Sequence, residues 1–105
     1  MKISFEAIVQ SHQETLQKTF VPAQYEVLDK MAHAIIHALK AGHKLLLCGN
    51  GGSAADSQHI AAEFIGRFEK NRMSLPAIAL TADIAALTAI GNDFGFEKVF
   101  SRQLE

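Results

Sequence analysis

Apolar residues recur at helical spacing in the first part of the chain. From Phe5 to Phe20 they fall on one face, with glutamine, glutamate and lysine opposite. Pro22 interrupts this pattern, and a second helical pattern follows until Gly42 offers a C-terminal stop. The spacing therefore predicts a pair of amphipathic helices, which we take as a first domain over residues 1–42.

Two short apolar runs, Leu45 to Cys48 and Ala77 to Leu80, are typical of strands buried on both faces. A glycine-rich loop and a helical pattern lie between them. Ser53 is predicted to cap the start of this helix, and Gly66 is predicted to close it in a left-handed conformation. The order strand, helix, strand predicts an α/β fold with a parallel sheet, which begins a second domain over residues 43–105.

Beyond the second strand the pattern turns helical again. A shorter helix is predicted to start at Thr81 or Asp83 and to end at Gly91, followed by a loop over 92–95 and a last helix over 96–104. Two strands are few for a parallel α/β domain, so we expect the sheet of this chain to be incomplete.

Composition narrows the class of protein. The 105 residues include 10 Lys and Arg against 11 Asp and Glu, and 49% of them are hydrophobic. This favours a packed globular domain and argues against a nucleic-acid or anionic-membrane partner. No apolar run is long enough to cross a bilayer. A single cysteine, Cys48, excludes an internal disulfide, and we predict a cytoplasmic protein.

The first candidate for chemistry is the loop that contains Asn50, Gly51, Gly52 and Ser53. Glycines let a backbone approach a ligand, and the free N–H groups of a helix start favour an anionic or polyhydroxyl one. The spacing fits neither a P-loop nor a G-x-G-x-x-G fingerprint. The alternative is a tight turn in which glycine serves only the conformation.

A second candidate is the pair His59 and Glu63, four residues apart on the predicted helix. One imidazole and one carboxylate on the same face can bind Zn²⁺ or another divalent ion, although two ligands are too few. The pair could equally be a surface contact, and Glu63 could act as a general base. Asn92 and Asp93 form a third candidate segment, which could also be an ordinary turn.

Two strings, LLLCGNGGSAADSQHIAAEFIGRF and LPAIALTADIAALTAIGNDFGFEKVFSRQLE, resemble the phosphoheptose isomerases of the SIS superfamily. The resemblance implies a doubly wound, three-layer αβα sandwich with a parallel sheet. It also implies a homotetramer assembled through the N-terminal helices, with active sites between subunits. The implied reaction converts sedoheptulose 7-phosphate to D-glycero-D-manno-heptose 7-phosphate, for bacterial heptose and lipopolysaccharide biosynthesis.

The resemblance also assigns roles to residues. It implies a zinc ion bound by His59 and Glu63, with Glu63 as the catalytic acid/base. It implies substrate contacts from Asn50, Gly51, Gly52, Ser53, Glu63, Asn92 and Asp93. In the family, the phosphate-binding loop and the other metal ligands, a Gln and a His that is the second acid/base, lie in a C-terminal half with no counterpart here. We therefore expect this chain to be inactive alone.

Two other functions remain open. The segment FEKNRMSLPAIALTAD also resembles a non-catalytic SIS adaptor that binds the bacterial replication initiator. That group lacks the metal-binding glutamate, whereas this chain retains Glu63. A sugar-phosphate-sensing domain is the third possibility, and it would need the glycine loop but neither a metal nor a base.

Overall fold

The structure is a computed structural model that describes residues 3–105. Contacts divide the chain into two compact units, one up to His37 and one from Ala38 to Glu105. The division falls inside the second helix, whereas the sequence pattern placed a domain boundary at residue 42.

The first unit contains the predicted amphipathic helices. Helix α1 spans Phe5–Thr19, and the Ser4 side chain caps its start by accepting from the N–H of Ala7 at 3.3 Å. Helix α2 spans Pro22–Lys40 and has its proline at the first helical position, where the missing N–H has no partner to lose. Neither helix contains a buried residue, so their apolar stripes are open within the described residues.

The second unit opens with the predicted end of α2. Gly42 has a φ of 83°, and its N–H donates to the carbonyl of Leu39 at 3.1 Å. The N–H of His43 donates to the carbonyl of Ala38 at 2.9 Å. This pair of bonds is a Schellman motif, which ends the helix and turns the chain toward the first strand.

The sheet has two parallel strands, as predicted, but each is one residue shorter than its apolar run. Strand β1 spans Leu45–Leu47 and strand β2 spans Ala77–Ala79. Helix α3, Gly52–Ile65, packs on one face through Ala61 and Phe64. The small alanines of β2 let the helix approach closely, which places the core of this unit between α3 and the sheet.

The opposite face of the sheet has no comparable cover within residues 3–105. Leu46 and Ile78 are partners in the strand register, and they remain 41% and 48% exposed. Alternate residues of a strand point to opposite faces, so these two side chains lie away from α3. The prediction of an α/β fold with an incomplete parallel sheet is confirmed.

Two predicted ends of α3 are wrong. The helix begins at Gly52 with Gly51 in the capping position, and Ser53 bonds to Asn50 instead of capping the helix. At the other end, Gly66 has a φ of −78°, which is not left-handed. The last carbonyls of α3 therefore need hydrogen-bond donors from outside the helix.

The last part of the chain also differs from its prediction. Helix α4 spans Ile84–Phe94 and starts at the predicted cap Asp83. It runs through Gly91, Asn92 and Asp93, which the sequence pattern placed at its end and in a loop. Gly95, with a φ of 94°, makes the stop because it adopts the left-handed region that glycine tolerates.

Two short 3₁₀ helices, Phe96–Lys98 and Ser101–Leu104, replace the predicted last α-helix. Their backbone bonds join residues three apart, such as the N–H of Val99 to the carbonyl of Phe96 at 3.2 Å. The Gln103 side chain donates to the carbonyls of Leu80 and Val99, which holds this segment against the end of β2. The bond to Leu80 joins residues 23 apart in sequence, so the helical spacing of residues 96–104 could not predict it.

Candidate functional site

The loop between β1 and α3 is held by a serine that bonds to the backbone before it. The Ser53 hydroxyl accepts from the N–H of Asn50 at 2.9 Å and donates to the carbonyl of Asn50 at 2.8 Å. Gly51, with a φ of 59°, turns the chain into the helix. The N–H of Ser53 donates to the carbonyl of Asn50 at 3.2 Å, and that of Ala54 donates to the carbonyl of Gly51 at 3.1 Å. Among the described residues, the N–H groups of Gly51 and Gly52 are therefore the donors that this turn can offer to a ligand.

A cleft of about 530 Å³, here called the glycine-loop cleft, lies beside this turn. It is at the carboxyl ends of the strands, where open parallel sheets bind ligands. The loop supplies one wall, while α4 and the first 3₁₀ helix supply much of the rest. The lining residues are Gly49, Asn50, Gly51, Ala54, Thr81, Leu87, Thr88, Gly91, Phe96, Val99 and Phe100.

Polar side chains fix the walls of this cleft to one another. The buried Thr81 hydroxyl donates to the carbonyl of Ala54 at 3.2 Å, and the Gln58 side chain donates to the carbonyl of Thr81 at 3.2 Å. These bonds connect α3 to the second residue after β2. Sequence reasoning considered Thr81 only as a possible helix start, although a lone polar residue after a buried strand is a signal for such a tie.

His59 and Glu63 form the predicted pair on α3. The Nε2 of His59 lies 3.2 Å from the Oε1 of Glu63, and the two side chains are 76% and 35% exposed. They line a second cleft of about 540 Å³, here called the His59–Glu63 cleft. Its other lining residues are Ile60, Phe64, Phe68, Glu69, Lys70 and Arg72.

The two clefts share no lining residue. Asn50 and Gly51 line the glycine-loop cleft, whereas Gly52 and Ser53 line neither cleft. Ser53 supports the loop through its two bonds to Asn50. The structure therefore does not bring Glu63 and the glycine loop into one cavity of the described residues. Their joint role in binding a substrate stays a prediction.

Asn92 and Asp93 lie in the last turn of α4 and line neither cleft. The Asn92 side chain donates to the Asp93 carboxylate at 2.8 Å, and both residues are exposed. Their place next to Gly91, which does line the glycine-loop cleft, puts them one helical turn or less from it. Contact with a substrate stays a prediction for both.

In the span 3–105, no three His, Cys, Asp or Glu side chains are placed to hold one ion together. His59 and Glu63 are therefore a pair of donors and not a complete metal centre. None of the helices described is long and apolar enough to cross a membrane.

A parallel α/β sheet with a glycine-rich turn at the carboxyl end of its first strand defines a class of ligand-binding domain. Within that class, this chain belongs to the SIS domain family, whose model matches residues 9–105. The resemblance to phosphoheptose isomerases is likewise confirmed. The chain is 56% identical over 95 residues to the phosphoheptose isomerase of Aliarcobacter butzleri, which covers 90% of this chain and 50% of that protein.

Solved structures agree with this assignment. A phosphoheptose isomerase from Neisseria gonorrhoeae matches with a TM-score of 0.74 and 41% identity, over 96% of this chain and 53% of its own. One from Francisella tularensis matches with a TM-score of 0.78 and 33% identity, over 97% and 55%. The chain spans about half the length of the curated relatives it matches.

Proposed function

We propose that this chain is part of an aldose–ketose isomerase that converts sedoheptulose 7-phosphate to D-glycero-D-manno-heptose 7-phosphate. The observation that carries the proposal is the 56% identity to a phosphoheptose isomerase over 90% of the chain. The glycine-loop cleft supports it, since the loop offers hydrogen-bond donors to a polyhydroxyl ligand. We place the reaction in the cytoplasm, in heptose biosynthesis for bacterial lipopolysaccharide.

The chemistry explains why a carboxylate is needed. Moving a carbonyl between C1 and C2 requires a base to take a proton from one carbon and return it to the neighbouring carbon through an enediol. We assign this proton transfer to Glu63. Its carboxylate is partly shielded and lies against His59, so the α3 helix holds it in a defined position. We assign substrate contacts to Asn50, Gly51, Gly52 and Ser53, and to Asn92 and Asp93.

Zinc is part of the proposal, and His59 and Glu63 would hold it. Nitrogen and oxygen ligands about 2.0–2.2 Å from a tetrahedral zinc ion lie about 3.3–3.6 Å apart. The observed 3.2 Å between Nε2 and Oε1 is close to the lower end of this range. The same distance suits a hydrogen bond, so the pair is also stable without metal. When bound, the ion would polarise the substrate oxygens.

Assembly is the remaining part of the proposal. We propose a homotetramer in which α1 and α2 contact other subunits. The support is that both helices leave large apolar side chains in solvent, including Phe5 at 76% and Tyr25 at 58% exposed. Exposed apolar stripes of this kind are typical of protein–protein contacts.

The non-catalytic adaptor is the alternative. It would not require an acid/base or a metal ligand at position 63. Glu63 is present and in contact with His59, and this favours the enzyme. A sensing domain would bind the sugar phosphate without converting it.

An assay of conversion and binding separates these functions. Sedoheptulose 7-phosphate is supplied to this chain and to its fusion with the part of the Aliarcobacter butzleri isomerase that it does not match. We expect product from the fusion. Binding without product in both proteins would favour a sensor, and neither binding nor product in the fusion would contradict the proposed substrate.

A further inference from the structure

The guanidinium of Arg72 lies at the C-terminal end of α3. Its Nη2 donates to the carbonyl of Glu63 at 2.7 Å, and its Nη1 donates to the carbonyl of Phe64 at 2.8 Å. Nη1 also lies 3.0 Å from the carbonyl of Met73 and 3.3 Å from that of Gly66. Because Nη1 has only two hydrogens, at least one of them is shared between acceptors.

These contacts supply hydrogen bonds to carbonyls at the C-terminal end of α3. The last carbonyls of a helix have no N–H partner inside it, and they form the negative end of its dipole. The N–H of Gly66 serves the carbonyl of Ala62 at 2.8 Å, but Gly66 does not adopt the left-handed conformation that would serve the others. Among the described residues, the carbonyl of Glu63 accepts only from Arg72.

Arg72 therefore acts on two parts of the His59–Glu63 cleft at once. It holds the main chain of Glu63, whose side chain contacts His59 at 3.2 Å. It also holds the loop after α3, which supplies Phe68, Glu69 and Lys70 to the facing part of the cleft. A second bond, from the N–H of Leu75 to the carbonyl of Phe64 at 3.0 Å, returns the loop to the helix end.

We propose that Arg72 is a positioning residue: it fixes the last turn of α3 and the following loop, and so sets the place of the Glu63 carboxylate relative to His59. Its value for catalysis rests on the proposed function, since it assumes that Glu63 is the acid/base. The geometric claim itself concerns only this chain. Arginine suits the task better than lysine because its planar fork reaches several carbonyls together.

The test is NMR on the full chain without metal or sugar phosphate, reading the imidazole ¹⁵N signals of His59. Glu63→Gln sets the position of these signals when the contact with the carboxylate is lost. We expect Arg72→Gln to move them at least about half of the way to that position. The control is Arg67→Gln, which removes the same charge from the same loop, and we expect it to leave the His59 signals in place.

Amide hydrogen exchange supplies the second readout. Bonds to a charged group are strong enough that their loss should raise local exchange about 10-fold or more at Gly66 and Leu75, with the first turn of α3 unchanged. Uniformly faster exchange with unmoved His59 signals would overturn the proposal, because it would show a role in stability alone.

Arg72→Lys keeps the proposal testable if Arg72→Gln does not fold. One ammonium cannot span the separated carbonyls, so the His59 signals should move in the same direction by a smaller amount. Signals at the parent position in Arg72→Lys would contradict the proposal. Since no substrate is used, a failed isomerase assay leaves this result intact, and a failed NMR test leaves the isomerase proposal intact.

Discussion

Gly49 lies so close to Ser53 that a methyl group on its Cα would be 2.6 Å from both the carbonyl and the hydroxyl oxygen of Ser53. The same hydroxyl accepts from the N–H of Asn50 and donates to its carbonyl. The shape of the glycine loop therefore depends on the absence of a side chain at position 49 and on the presence of a hydroxyl at position 53.

This contact predicts a large difference between two glycine substitutions. Gly49→Ala forces the backbone of Ser53 to move, and we expect a loss of about 1–3 kcal/mol in the free energy of unfolding. The matched control is Gly52→Ala, since nothing lies within 4 Å of the added methyl and the residue begins α3. We expect it to match or exceed the parent by up to about 1 kcal/mol. Urea denaturation measures both, and equal midpoints would contradict the argument.

The cap of α4 gives a prediction about stability. The Asp83 carboxylate accepts from the N–H of Ala86 at 2.9 Å. Asp83→Ala removes this bond, and we expect it to lower the free energy of unfolding by about 0.5–2 kcal/mol. Asp83→Asn keeps an oxygen in the same place and should stay close to the parent. If thermal denaturation finds the two variants equally destabilised, the cap is not the cause.

The proposed acid/base gives a prediction about rate. In the fusion described above, Glu63→Gln should lower the turnover of sedoheptulose 7-phosphate about 100- to 10,000-fold, because a positioned base is lost. Glu69→Gln is the control, since it removes the same charge from the same cleft. Product formation is followed with time. Unchanged turnover in Glu63→Gln would remove this residue from the mechanism.

Zinc binding should be weak in this chain, since His59 and Glu63 supply only two ligands. We expect the chain to lose zinc on dialysis, and the weak binding that remains should disappear in His59→Ala. The control is His33→Ala, because His33 and Asp29 form another pair four residues apart, with 3.5 Å between Nδ1 and Oδ1. Isothermal titration with zinc alone measures the affinity. Tight, stoichiometric binding by a monomer would show that two ligands suffice.

The exposed stripe of α1 predicts self-association. Ile8 is 60% exposed on the same face as Phe5 and Leu16, so Ile8→Asp should shift the chain toward the monomer by placing a charge in the contact. Gln10→Asp, on the polar face, should leave the assembly unchanged. Sedimentation velocity compares the three proteins. A parent chain that is monomeric at all concentrations would contradict the prediction.

Features that depend only on residues close together in the sequence were predicted correctly from it. The first two helices, the stop at Gly42 and the order of strand, helix and strand follow from local periodicity and from glycine conformation. The placement of His59 and Glu63 on one face of α3 belongs to the same group, because residues four apart on a helix are neighbours.

Other features depend on how distant segments pack. Gly91 looked like a helix stop, yet it stays helical; Val99, from the segment that folds back, lies 3.7 Å from where its Cβ would be. The end of α3 looked like a glycine cap, yet Arg72 provides the hydrogen bonds from the following loop. Local pattern determines where a helix can form, but only tertiary packing decides which of several permitted residues ends it, since the unpaired carbonyls of a helix end accept from whichever donor the fold brings near.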